Sequence, residues 1–160
     1  MAAYIKFDGV DGEAKDKDHK GWSDLASFSQ GLHQPGSAST GPTRRRGDVI
    51  LDDVHASKEL DKASPKIAES VCKGKVFPKV EIHLTASYTD AGRVTYYAYE
   101  LKNVLVSSYQ ISGSGQSEDV PMEDFALNFE EIKVTYTEAD EGGKSKGNVE
   151  YAWKVEEGES

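Results

Sequence analysis

Four histidines, His19, His33, His55 and His83, lie in four separate segments of the chain. Imidazole is the commonest metal ligand and general base near neutral pH. The sequence, however, has neither an H-x-H nor an H-x-x-x-H pair. Glu81 and His83 share a strand face, but two side chains do not make a site, so the histidines read as solvated or hydrogen-bonded. Asp52, Asp53, Glu59 and Asp61 cluster in sequence. Glycoside hydrolysis needs two carboxyls about 5–9 Å apart with separated pKa values, and in an acidic chain such clusters arise by chance. Ser107, Ser108, Ser112 and Ser114 offer hydroxyls without a G-x-S-x-G nucleophile elbow. The Gly113–Ser117 run (GSGQS) lacks the lysine of a phosphate-binding loop and reads as a hairpin loop. Cys72 falls on the apolar side of an expected helix, which favours an inert, buried thiol. No catalytic, cofactor-binding or metal-binding residue is assigned.

Composition narrows the partners. The 160 residues include 19 basic and 28 acidic side chains, a net charge of −9. Nucleic-acid binding needs a basic surface that displaces counterions from phosphates, and docking on anionic lipid needs one too, so neither nucleic acid nor membrane insertion is expected. The single cysteine excludes an intrachain disulfide and suits a reducing cytoplasm. Lys6 and Asp8 interrupt the apolar run that a cleavable signal peptide requires. The length fits one domain over residues 1–160.

The elements that must position these residues have a period of two. Ala3, Ile5 and Phe7 alternate with Tyr4, Lys6 and Asp8. Val80, Ile82, Leu84, Ala86 and Tyr88 share one face of Lys79–Tyr88, and Val149, Tyr151, Trp153 and Val155 form the inner set of the last strand. Val94–Ser112 is too long for one flat strand and must bend or pass between sheets; Asp90, Ala91 and Gly92 supply a tight turn before it. Phe125, Leu127 and Phe129 occupy odd positions, whereas Ile132, Val134 and Tyr136 occupy even ones, which predicts a bulge or kink at Glu130–Glu131. One helix is predicted at about residues 64–73: Ser64 as N-cap, Pro65 in the first turn, an apolar stripe of Ile67, Ala68, Val71 and Cys72, and Gly74 terminating it. The expected fold is mainly β, an antiparallel β-barrel of two sheets with this short helix packed against it. Clean alternation spends the apolar side chains on the interior, leaving the outer surface and the sheet edges as binding sites.

Leu101–Tyr109 (LKNVLVSSY), Ser112–Gly115, Pro121-x-Glu123, Phe125–Phe129 and Ile132 resemble the haemolysin-coregulated protein family, the tube subunit of the bacterial type VI secretion system. Gly12-Glu13-x-Lys15-Asp16 with His19, Asp61–Pro65, Cys72–Gly74 and Trp153 match it in the same order along nearly all of the chain. The resemblance implies a homohexameric ring, rings stacked into a tube, a contractile sheath around it, a trimeric spike on it, and effector proteins carried in the lumen. It also implies a non-enzymatic protein, made in the cytoplasm and then secreted through the apparatus without a signal peptide.

The same resemblance points to residues. The Asp24–Leu32 region lines the ring lumen in the family, so Ser27 and Ser29 are expected to face the channel and admit effectors. Family members use an extended loop at the position of Gln34–Gly47 to reach a neighbouring subunit or ring, so this segment is expected to do the same. Arg44, Arg45 and Arg46 are the only basic cluster of the chain, and guanidinium forks suit carboxylates. Asp11, Glu13 and Asp16 of the opening loop, with Asp18 or Asp52 and Asp53, are the acidic partners expected for ring stacking. Val94–Tyr99 and Val149–Val155 are the candidate edge strands for the ring interface. Two other readings stand beside this one: a monomeric small-ligand barrel, and a small hydrolase using the Asp52/Asp61 region.

Overall fold

Alternation in the middle of the chain builds the central strands. The computed structural model describes residues 1–34, 49–88 and 92–155. Along these run β1 (Ala2–Phe7), β2 (Ser23–Leu25), β3 (Ser27–Ser29), β4 (Leu32–His33), β5 (Ile50–Leu51) and β6 (Val54–Glu59). The helix α1 (Ser64–Lys73) follows, then β7 (Val76–Tyr88), β8 (Gly92–Ser112), β9 (Met122–Asn128), β10 (Glu131–Ala139) and β11 (Ser145–Lys154). The class is as expected: mainly β, antiparallel, in two sheets with one helix. The division is uneven, nine strands in one sheet and the short β4–β5 pair in the other.

The large sheet runs β2-β1-β7-β8-β9-β6-β3, with β10 on β8 and β11 on β10. Among the described residues no ladder joins its first and last strands, so strand pairing there does not close the barrel. Those two strands are instead halves of one segment, separated only by Ala26, whose N–H donates to the Ser57 carbonyl at 2.8 Å. The sheet therefore curls until its ends meet along Ser23–Ser29. Ile5, Ile82, Leu101, Val104, Leu127 and Ile132 are wholly buried inside it. The interior is filled by side chains, as small barrels are.

Two irregularities bend the long strands. The predicted inner set of β7 holds through Leu84. Pairing then shifts between Leu84 and Thr85, so Thr85 is buried and Ala86 is only half-buried. A bulge inserts one residue and turns the following side chains to the other face. β8 spans 21 residues, pairs with β10 through Tyr97–Lys102 and with β9 through Leu105–Ser112, and takes a positive φ of 51° at Asn103 between them. The predicted phase slip near Glu130 is a kink: Phe129 and Glu130 separate β9 from β10, and the Glu130 N–H donates to the Lys102 carbonyl at 3.1 Å. Asp90 and Ala91 of the expected turn lie outside the described residues; Tyr88 pairs with Gly92.

The helix has its predicted length and ends as predicted, Gly74 taking the left-handed conformation at φ 62°. Its start differs. Ala63 is the N-cap residue and no side chain caps the helix. Ser64 turns inward because a buried charge network claims its hydroxyl. It accepts from the Asp61 N–H at 3.0 Å and donates to Glu123 Oε1 at 3.0 Å. The buried face is Ser64, Ile67 and Ser70 with Val71 packed on the core, so Cys72 is exposed rather than buried. One position past Val71, Cys72 has rotated off the face that α1 turns towards β8.

Candidate functional site

Three surfaces hold the residues singled out from the sequence. The first is the outer face of β3, β6, β9 and β8. In β3 the alternation puts Phe28 against the core, its ring 5.8 Å from that of Tyr99, and leaves Ser27 and Ser29 exposed. Ser27 pairs with Ser57 and Ser29 with His55. The two serines line an open concavity of about 460 Å³ with His55, Ser108, Gln110 and Asp124. Phe28, Tyr109 and Phe125 also line it, so the surface is mixed polar and apolar. Asp52 and Asp53 lie beside an adjoining hollow with Ser29 and Gly31. They do not converge with Asp61: Asp53 accepts from Ser107 Oγ at 2.7 Å and Asn128 Nδ2 at 3.0 Å, while Asp61 faces Lys58 at 2.8 Å. The carboxylate pair of a hydrolase is not assembled there.

The second surface is the opening loop. Asp11 is exposed and pairs with Lys6 Nζ at 2.8 Å, which holds its carboxyl below the usual range. Glu13 is exposed as well. Asp16 is different: its side chain is mostly buried, 2.5 Å from His19 Nδ1 and 3.9 Å from Arg93 Nε. Its carboxylate is spent within the chain, which departs from the expectation of a solvent-facing partner. Arg44, Arg45 and Arg46 lie outside the described residues.

The third surface is the edge. Among the described residues, β11 pairs with β10 alone. Its expected inner set is not internal: Val149 is 74% exposed, Tyr151 45% and Val155 39%, with Tyr136 of β10 also 45% exposed. Trp153 alone of that set packs on the core, paired with Ile132. Burial raises the Tyr151 phenol above its ordinary pKa, with Tyr97 nearby adding to the shift. The other candidate edge, Val94–Tyr99, is not an edge throughout. β7 pairs along it, and β10 folds back to cover its other side from Tyr97 onward.

Residues 4–136 match the family model described as type VI secretion system effector, Hcp. The chain belongs to the Hcp family. It is 34% identical over 153 residues to Protein hcp1 of Pseudomonas aeruginosa, covering 95% of this chain and 93% of that protein. A solved structure described as a type six secretion system protein superposes with a TM-score of 0.91 at 28% identity, covering 99% and 98% of the two chains. Hcp1 of Salmonella typhimurium shares the fold with a TM-score of 0.78 at 22% identity, covering 99% and 97%. The chain is thus a type VI secretion tube protein, structural rather than enzymatic. Hcp membership carries oligomeric assembly and passage through the secretion system with it.

Two clusters in this Hcp chain escaped the sequence reading. Lys58 of β6 and Glu123 of β9 are both wholly buried and form an ion pair. Tyr109 Oη donates to Glu123 Oε2 at 2.5 Å, and burial together with that bond raises the phenol's pKa. Burial also acts to raise Asp61, but bonds from Lys58 and Ser23 outweigh it and hold the carboxyl below its usual range. The signal available was weak: Lys58 sits in register with Val54 and Ala56 on the inward face of β6. The other cluster is histidine. His19 and His83, 64 residues apart, meet with Nε2 and Nδ1 at 3.0 Å. No spacing rule finds a pair closed by the fold.

Proposed function

We propose that this chain forms a hexameric ring, that the rings stack into the inner tube, and that effectors ride in the lumen. The observation that carries the reading is the exposed apolar edge of β11. An open strand edge presents unpaired N–H and C=O groups that another chain can continue, and Val149, Tyr151 and Tyr136 add apolar area beside it. Exposed apolar patches of this kind mark protein–protein contacts. The ring interface joins β11 to a neighbouring copy.

In this reading Ser27 and Ser29 face the lumen, where their small hydroxyls leave room for cargo. Rings stack through Arg44, Arg45 and Arg46 of one ring against Asp11 and Glu13 of the next. Such exposed pairs are weak and screened by salt, so stacking dissociates at high ionic strength while rings persist. The contractile sheath surrounds the tube and the trimeric spike caps it. The chain folds in the cytoplasm and leaves through the apparatus rather than by a signal peptide.

Light scattering on the purified protein tests the ring: a mass about six times the 17.5 kDa of one chain is expected, and a monomer overturns it. Ser29→Gln should deplete co-purified effector and leave the ring intact. Unchanged co-purification would remove Ser29 from the lumen.

A further inference from the structure

The acidic charge of this chain is not spread evenly over the barrel. Residues 23–33, 50–59 and 105–128 supply β3, β6, β9 and the second half of β8, and they hold eight acidic side chains against one basic one. The rest of the chain holds 20 against 18 and is nearly balanced. Those three segments therefore carry −7 of the net charge of −9. Their one cation, Lys58, is wholly buried and committed to Glu123 and Asp61. The outer face that these strands build thus has no lysine or arginine of its own to offer solvent.

Elsewhere acids find lysines. Asp11 meets Lys6 at 2.8 Å, Glu81 meets Lys79 at 3.0 Å and Glu69 meets Lys73 at 3.3 Å. On the outer face the partners are neutral. Asp53 accepts from Ser107 Oγ and Asn128 Nδ2, and Asp124 accepts from Ser57 Oγ. Those bonds hold both carboxylates in place and leave their charge uncompensated. Asp124 lines the concavity that Ser27 and Ser29 also line, and Phe28 and Tyr109 lie half-buried beside it. Charges of one sign along a concave, low-dielectric wall focus the field into the hollow. Aromatic surface next to them suits the aliphatic stem of a lysine or an arginine.

We propose that this face docks a cationic stretch of polypeptide, a lysine- or arginine-rich segment of the cargo, and turns acidic segments away. The inference rests on the reading that β3 and its neighbours carry cargo, and it adds the charge class that the cargo must show. The attraction is made of exposed charges, so it weakens as salt rises. Recognition of this kind reads charge and not sequence, which lets one face serve unrelated cargo proteins.

Two short fluorescein-labelled peptides, one alternating lysine with serine and one alternating glutamate with serine, test this by anisotropy on the purified protein at low salt. The lysine peptide should bind and the glutamate peptide should not. Asp53→Asn with Asp124→Asn should weaken binding of the lysine peptide about tenfold. Asp8→Asn with Glu69→Gln removes the same charge from exposed positions outside the three acidic segments, and should weaken it by less than about twofold. Equal losses in the two variants mean attraction to the net charge alone and overturn the proposal, as does equal binding of the two peptides. If the face variant fails to fold, carbodiimide coupling of the lysine peptide to the unsubstituted protein decides. Links should fall on Asp52, Asp53, Glu59 and Asp124, and links spread evenly over the exposed carboxylates overturn the proposal. The cargo reading itself stands or falls separately, on co-purification with Ser29→Gln.

Discussion

β7 and β11 read alike in sequence and fare oppositely in the fold. Both alternate apolar and polar side chains without interruption over most of their length. In β7, Val80 and Ile82 are wholly buried, flanked by β1 and β8 and covered from across the barrel. In β11, Val149 is 74% exposed and Tyr151 45%. A period of two announces a strand with two unlike faces. It does not say which body the apolar face meets. β7 spends its face on folding the chain, whereas β11 leaves most of its apolar face exposed.

That contrast can be broken or sharpened by substitution. The largest effect belongs on the inward side of the barrel, at the buried ion pair next to the core. Lys58→Met leaves Glu123 uncompensated and should cost about 3–5 kcal/mol of unfolding free energy in urea titration. Lys58→Met with Glu123→Leu should recover part of that loss, because Glu123 is no longer a buried charge while Asp61 still lacks its Lys58 partner. Ile82→Ala in β7 comes next, at about 2–5 kcal/mol for a wholly buried isoleucine. Tyr151→Glu in β11 is the mirror experiment. It should change unfolding of the isolated chain by no more than about 0.5 kcal/mol yet abolish the six-chain mass expected in light scattering. A Tyr151→Glu chain that lost several kcal/mol would place β11 in the core and erase the contrast.

The smallest effect is one of pH, on the polar side of β7. Glu81 is held down to about 2, chiefly by the bond from His83. A carboxyl with a depressed folded pKa contributes stability above its unfolded value of about 4.3, and that contribution is lost as pH falls towards 2. Glu81→Gln should remove this portion of the acid dependence and leave the midpoint near neutral pH changed only slightly. An unaltered acid limb would show that the carboxyl is solvated.

The periodicity exposed most of the elements because it is local. The strand pattern of Ala3–Phe7, the kink before Glu131 and the helix from Ser64 to Lys73 all follow from neighbouring residues. Errors gathered where a distant partner decides. Ser64 has the chemistry of an N-cap, but Glu123 and Lys58 recruit its hydroxyl. Cys72 sits one position beyond a stripe whose centre α1 sets by docking on β8. Asp16 is one acid among many in sequence, and becomes an internal ligand only because His19 and Arg93 arrive beside it. Ser27 and Ser29 were legible as an outward face because one apolar neighbour, Phe28, fixes the phase of a strand.

The sequence by itself determined the class of fold, the kink before Glu131, the family, and the absence of any assembled catalytic motif in its order of residues. Each rests on local spacing or on motif order, which survive without knowing what packs on what. Only the tertiary structure decided which apolar faces are internal, which carboxylates are free, and that His19 and His83 touch. Those depend on strand pairing between residues far apart in the chain, and a one-residue shift such as that at Thr85 reverses them.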